Sequence, residues 1–382
     1  MPLRQHSNTE EAMTINSRIR KKTNKALFIT PLPPPIHGSA VVSQFVKDSA
    51  LLRDSFNCDF VNLSTSRRMD EIGKKTLAKP FRFFAAFCRT FGKLLTHRYN
   101  LCYLAITCHG GGFLKDMPFV LLCKLFRRKV VIHQHNKGMA QDVNRWPYRW
   151  LLPWVYKNTR VILLSWRLYP DIEKVVPREN VLVCSNGIPA VSYEYHERNN
   201  ATPRLLFLSN LMVSKGVLVL LDALKILHDK GYSFFCDFVG SETQEIGAER
   251  FSTEVGTRGL TDVVKYPGRK VGDEKMAFFE NADLFVHPTI DDCFPLVLLE
   301  AMQYGLPCVT TNEGGIPDIV EDGVNGLIAE RHDPQSLALC IERLLNDAEL
   351  RRKMGQNGLQ RYQSHFTIDC FEHNFVEIIT KI

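Results

Sequence analysis

Several common functional patterns are missing from this 382-residue chain, and each absence removes a class of activity. Eleven cysteines are scattered with no C-x-x-C pair, and their odd number argues against a disulfide framework, so reduced thiols and a cytoplasmic compartment are expected. Long apolar runs are lacking too. The best stretches, Phe81 to Leu95 and Phe113 to Phe126, are interrupted by Arg82, Arg89, Lys93, Lys115, Asp116 and Lys124, which excludes an ordinary transmembrane helix. Ala26 to Thr30 is too short for a signal-peptide core and runs into Pro31, Pro33, Pro34 and Pro35, so no signal peptide is expected. No G-x-G-x-x-G follows the first apolar strand, which argues against a dinucleotide-dependent oxidoreductase. Cys108-His109-Gly110-Gly111-Gly112 would suit an oxyanion loop, but there is no G-x-S-x-G to supply a serine nucleophile.

What is present describes a globular protein with room for two cores: 45% hydrophobic and 23% charged residues. The net charge of +7 is modest and calls for no nucleic-acid partner. Part of it lies in Arg18, Arg20, Lys21, Lys22 and Lys25, and residues 1–24 are expected to be a disordered basic tail, either solvated or touching anionic lipid. From Lys25 onward apolar strands alternate with amphipathic helices, the mark of parallel sheets covered on both faces. Strands are expected at 26–30, 59–63, 101–106, 130–133, 161–164 and 181–184, with helices at 39–52, 80–96 and 114–126. The helix over 80–96 mixes phenylalanines with Arg82, Arg89 and Lys93, which suits core packing or, alternatively, a membrane surface. Residues 190–203 form a polar linker, after which the pattern restarts with a strand at Arg204 to Leu208.

The most informative stretch is Leu284 to Asp318, where a strand, a loop with two acids and an apolar helix lead to a second strand. Glu300 is surrounded by Leu296, Val297, Leu298, Leu299, Ala301 and Met302, so a carboxylate there needs a partner, either ligand hydroxyls or an Arg or Lys. Asp292 precedes the helix, where it either caps free N–H groups or borders a ligand. Lys215-Gly216 opens another helix, a place for a phosphate. Gly38 stands between the first strand and its helix, serving either the turn or an anion's approach. His133 and His135 end a strand, where open sheets place ligands; as metal ligands they lack a third partner nearby.

Together these motifs resemble the retaining glycosyltransferases of family 4, the glycosyltransferase group 1 proteins of GT-B fold. The likeness is carried by Asp292, Glu300-Ala301, Gly305-Leu306-Pro307, Cys308-Val309-Thr310 and Gly314-Gly315-Ile316-Pro317, and spans about Lys25 to the C-terminus. It departs where Asp292 replaces the usual Glu, His37 a second glycine and Asn210 the usual Arg, for which Arg269 is a possible substitute. The resemblance implies an α/β, GT-B architecture of two facing doubly wound, Rossmann-like parallel-sheet domains with a cleft between them. It divides the chain into an acceptor-side domain (25–189), the linker, a nucleotide-sugar domain (204–365) and a helix over 366–382 crossing back to the first domain. It implies a donor site of Gly38, Lys215, Asp292, Cys293, Phe294, Pro295, Leu296 and Glu300, with Asp292, His135 and Lys215 catalytic. Gly112, Lys115, Asp116 and His133 become acceptor-side candidates.

The implied reaction moves a sugar from a nucleotide diphosphate, UDP rather than GDP by family habit, to a glycan or lipid-linked saccharide in polysaccharide biosynthesis. No cofactor or metal is expected; Asp291 and Asp292 are adjacent, so the loop contains no D-x-D. Location would be cytoplasmic, with peripheral contact on the inner face of the membrane as an option. The rivals are a nucleotide-sugar 2-epimerase, which would not need an acceptor to release nucleotide, and a sugar-binding relative without turnover.

Overall fold

The computed structural model describes residues 24–66, 77–198 and 200–382, so most of the expected basic tail, including Arg18, Arg20, Lys21 and Lys22, lies outside the described residues. Two compact units emerge: residues up to Ser185 with Phe371–Ile382 form one, and Asn186–Cys370 the other.

The first unit begins with β1 (Lys25–Thr30), α1 (Gly38–Asp48), α2 (Ala50–Ser55), β2 (Asn57–Asn62), α3 (Ala78–Thr96) and β3 (Leu101–Ala105). It continues through α4 (Gly110–Leu125), β4 (Lys129–Gln134), α5 (Met139–Asp142), α6 (Tyr148–Tyr156), β5 (Arg160–Leu163) and β6 (Val181–Val183). The strands are parallel in the order β2-β1-β3-β4-β5-β6. Ala26, Leu27, Phe28 and Ile29 are wholly buried, which explains why β1 reads as an unbroken apolar run: helices cover both faces.

Two expected helices differ. The helix over 39–52 is split because Ser49 leaves the helical conformation and its hydroxyl accepts from Leu52 N at 3.1 Å, capping α2. The other starts at Gly110 rather than Leu114: its glycines form the first turn, and Gly110 N donates to Asp142 Oδ2 at 2.7 Å.

The second unit runs β7 (Arg204–Leu208), α7 (Val217–Asp229), β8 (Phe235–Val239), α8 (Ala248–Thr257), β9 (Val264–Gly268) and α9 (Gly272–Asn281). Then come β10 (Leu284–His287), α10 (Leu296–Gln303), β11 (Cys308–Thr311), α11 (Ile316–Ile319), β12 (Gly326–Ala329), α12 (Pro334–Asn346) and α13 (Ala348–His365). Its parallel order is β12-β11-β10-β7-β8-β9. The edge strand β12 is not among the expected strands, because four residues are too few to show a period. Leu205, Phe207, Leu220, Leu224, Phe238 and Val286 lie in its core.

Residues expected as a polar linker are tied to this unit. Arg198 donates to the carbonyls of Glu280 (3.0 Å) and Tyr304 (2.7 Å), and Val191 N donates to Gln303 Oε1 at 2.9 Å. The closing helix α14 (Ile368–Lys381) brings Phe375 onto Tyr103 and His133 of the first unit, with ring centroids 5.4 and 6.2 Å apart. Among the described residues no helix is long and apolar enough to cross a membrane.

Each sheet has one place where successive connections leave in opposite directions, β1/β3 in the first unit and β7/β10 in the second. Doubly wound sheets hold ligands beyond the strands' carboxyl ends at such points.

Candidate functional site

In the second unit the loops after β7 and β10 meet at that switch point. Ile290 N and Asp291 N donate to Ser214 O at 2.8 and 3.2 Å, which locks the two loops together. Gly216 sits at φ +78° where a Cβ would lie 2.0 Å from Pro288 O, so only glycine fits this junction. The docking brings Lys215 Nζ to 2.6 Å from Asp292 Oδ2 and 3.0 Å from Asp291 O. Asp292 Oδ1 accepts from Cys293 N at 2.8 Å; α10 begins after Pro295 with no side-chain cap, so Asp292 is not the helix cap. Burial would raise the Asp292 carboxyl, but the approach of His287 and the Lys215 charge outweigh it and hold the group well below the usual carboxylate range. An ionised acid and an ammonium, partly exposed at 18% and 22%, therefore stand together at the crevice.

Glu300 requires a correction. The sequence suggests a buried carboxylate, yet its side chain is 29% exposed and pairs with Lys275 Nζ of α9 at 2.6 Å. The cation alternative is what the structure shows, and the apolar neighbours Leu298, Leu299, Ala301 and Met302 occupy the buried side of α10 while Glu300 faces away from it. Cys293 and Phe294 are 7% and 4% exposed, with Phe294 against Phe366, so their backbones rather than their side chains remain for a ligand. Pro295 is buried and Leu296 half-buried at the helix entrance. Arg269 is exposed after the edge strand β9, two strands from β7, and Asn210 lies on the β7 loop.

In the first unit the β1/β3 crevice is a cavity of about 720 Å³ lined by His37, Ser39, Gly112, Lys115, Asp116 and His135, among others. The structure thus brings together His135 and three acceptor-side candidates, with Gly38 flanked by two lining residues. A Cβ on Gly38 would meet nothing within 4 Å, so the turn itself does not demand glycine. Asp116 Oδ2 accepts from Thr107 N at 3.0 Å, and Lys115 Nζ is 3.1 Å from Asp116 Oδ1. Burial, then the neighbouring His37, lowers the His135 imidazole to about 4, so it stands neutral with Nε2 unpartnered among the described residues.

His133 does not join this wall. It is wholly buried, Nδ1 is 2.7 Å from Tyr103 OH, and Phe375 lies alongside, which makes it a core histidine rather than an acceptor contact. The sequence reading missed His287, also at a strand end, where its Nε2 is 3.8 Å from Asp292 Oδ2. The same signal that drew attention to His133 and His135 was available there.

Residues 193–361 match the family model described as glycosyl transferases group 1. That range holds Lys215, Asp292 and Glu300 and most of the second unit, though less than half of the chain. The capsular polysaccharide biosynthesis glycosyltransferase CapM of Staphylococcus aureus is 30% identical over 192 residues, 48% of this chain and 50% of that protein. The amylovoran biosynthesis glycosyltransferase AmsK of Erwinia amylovora is 30% identical over 202 residues, 50% of this chain and 49% of that protein. This chain spans about half the length of the curated relatives it matches. Over nearly the whole chain the fold is similar to sucrose-phosphate synthase from Thermosynechococcus elongatus, with TM-score 0.71, 18% identity and coverage of 94% of this chain and 98% of that one. The architecture is accordingly the α/β, doubly wound GT-B class.

Proposed function

We propose that the chain is a retaining, metal-independent glycosyltransferase that uses a nucleotide-diphosphate sugar, UDP-sugar before GDP-sugar, to extend a saccharide or lipid-linked saccharide in polysaccharide biosynthesis. The observation that carries this reading is the Lys215–Asp292 pair at the β7/β10 crevice, inside the segment that matches the group 1 model. Anabaena HepE, similar in fold at TM-score 0.70 and 18% identity with 94% of this chain and 100% of that chain covered, was solved with UDP and glucose. That structure and the capsular-polysaccharide relative favour a uridine donor and a saccharide acceptor.

In this reading the diphosphate takes the Lys215 ammonium and Asp292 turns to the sugar hydroxyls. The bond between the anomeric carbon and the diphosphate oxygen breaks as the acceptor hydroxyl oxygen bonds that carbon from the same face, and the acceptor proton passes to the departing phosphate oxygen. Charge grows on the diphosphate, so a preorganised ammonium and free N–H groups lower the barrier without a divalent ion. Glu300 accepts from ribose hydroxyls while Lys275 balances its charge. Gly38 and His135 keep the roles the resemblance assigns, and the first-unit cavity holds the acceptor. The protein works in the cytoplasm, with peripheral contact to anionic membrane.

The test is a panel of nucleotides scored by thermal stabilisation, followed by nucleotide release with and without saccharide acceptors. Ligand at a hundredfold excess over its Kd adds about 2.7 kcal/mol. UDP or GDP stabilisation with acceptor-dependent release that persists in chelator supports the reading. Release that ignores the acceptor sinks it in favour of an epimerase, and product of inverted anomeric configuration sinks the retaining mechanism.

A further inference from the structure

Helix α3 has two apolar faces but uses only one of them for packing. Phe83 and Phe87 pack edge-on against Phe119 of α4, with centroids 5.4 and 5.7 Å apart, and Ala86, Thr90 and Leu94 are buried. On the other side Leu77, Phe81, Phe84, Phe91 and Leu95 recur at intervals of three, four and seven, one stripe of the helix, and are 89%, 79%, 65%, 44% and 66% exposed. Single exposed apolar residues are ordinary; a stripe of them marks an interaction surface.

The stripe does not end with α3. The connections β2 to β3, β3 to β4 and β4 to β5 all step the same way along the sheet, so right-handed crossovers put α3, α4 and α6 side by side on one face. Phe91 touches Phe126 just past α4 (5.8 Å), and Lys124 Nζ ties α4 to α6 through the carbonyls of Trp154 (3.1 Å) and Val155 (2.6 Å). Leu125, Trp146, Trp150 and Trp154 extend the apolar surface, exposed by 76%, 78%, 66% and 57%. Residues 77–98, 124–129 and 145–160 hold thirteen Lys and Arg and no Asp or Glu, and of these cations Lys93 and Arg145 pair with Asp59 and Asp142 from outside the three segments.

We propose that this outer face of α3, the end of α4 and α6 docks onto an anionic lipid bilayer. Phenylalanine and tryptophan insert at the headgroup boundary, and the surrounding cations meet lipid phosphates. A second copy of the chain would present the same cations to this face and be repelled. The proposal deepens the functional reading above, on which the lipid-linked acceptor rests, while the docking stands on this face alone. Lys79, in the first turn of α3, also lines the 720 Å³ cavity, so a saccharide on a lipid anchor would reach that cavity from the docked face.

The test is co-sedimentation of the full chain with phosphatidylcholine vesicles, with and without about a third phosphatidylglycerol. Tryptophan emission is read alongside. Partition to the anionic vesicles, with a blue shift and weakening as salt rises, is expected. Phe81→Glu with Phe84→Glu, and independently Trp150→Ala with Trp154→Ala, should each cut it at least about tenfold at unchanged melting temperature. Equal partition by both variants, or none by the parent protein, overturns the proposal. A concentration-dependent dimer abolished by the glutamate pair, without vesicle binding, overturns it in favour of self-association. Vesicle binding that persists in a protein with no nucleotide response or transfer sinks the functional reading and leaves the docking in place.

Discussion

The two units share a plan but treat their crevices in opposite ways. In the second, glycines are wedged against backbone: a Cβ on Gly240 would lie 1.8 Å from Ser209 O, on Gly216 2.0 Å from Pro288 O and on Gly314 2.3 Å from Asp292 O. The site is fixed by contact, and an ion pair sits across its mouth. In the first, a Cβ on Gly38 or Gly111 would meet nothing within 4 Å and one on Gly112 would meet the Thr107 side chain rather than backbone, and the cavity is lined by His37 and His135, both lowered by burial. Under the proposed function the difference has a reason: a charge-stabilising site has to be rigid to act without reorganisation, whereas a site for a saccharide acceptor needs room.

The sharpest way to break this contrast is Asp292→Asn. If the second crevice does the chemistry, turnover should fall about 10²- to 10³-fold in a steady-state assay; a change under threefold would remove Asp292 from it. Gly216→Ala combines a steric clash with a left-handed backbone and should cost about 3 kcal/mol or more in denaturant unfolding. Gly38→Ala, its counterpart in the first unit, should change stability by less than about 0.5 kcal/mol.

Acid separates the units by window. His135 titrates at about 4 when folded and near 6.5 when unfolded, so between those values the unfolded chain takes up more protons and stability drops as pH falls. Replacing it by Asn should flatten the slope by up to about 3 kcal/mol between pH 6.5 and 4. Asp292 works in the other direction: its lowered folded value gives stability that is complete above the ordinary carboxylate range and is lost only as pH falls below it. Among the described residues three imidazoles lowered by burial, His37, His133 and His135, lie in the first unit against His287 in the second, so the first unit should loosen first, seen as early loss of tryptophan signal, since Trp146, Trp150, Trp154 and Trp166 all lie there. Smallest is Lys275→Ala. A pair this exposed is worth about 0.2–1 kcal/mol, so nucleotide affinity should change more than the melting temperature does.

The same contrast explains what was legible in sequence. In the second unit Asp292 and Glu300 lie eight residues apart in one stretch, so both candidates were visible in sequence, as was β7 at Arg204–Leu208, whereas the contact of Asp292 with Lys215, 77 residues away, was not. Pattern could not say which side of α10 Glu300 takes, because that depends on Lys275, twenty-five residues away on another helix. His133 and His135 look alike in sequence and, two residues apart, stand side by side with ring centroids 4.1 Å apart, but His133 is within β4 and His135 just past its end, and Phe375 from the far end of the chain decides which is sealed. The Ser49 break and the start of α4 depended on side chains competing for backbone N–H groups, a local contest that periodicity does not record.

Phe375 carries one more implication. The first unit is assembled from two pieces of chain, and its last wall, residues 371–382, leaves the ribosome after the whole of the second unit. During synthesis the second unit can close while Tyr103 and His133 still lack their cover, so the domain translated first is the one finished last. A fragment ending at Ser185 would keep all six strands of its sheet and still expose this apolar seam.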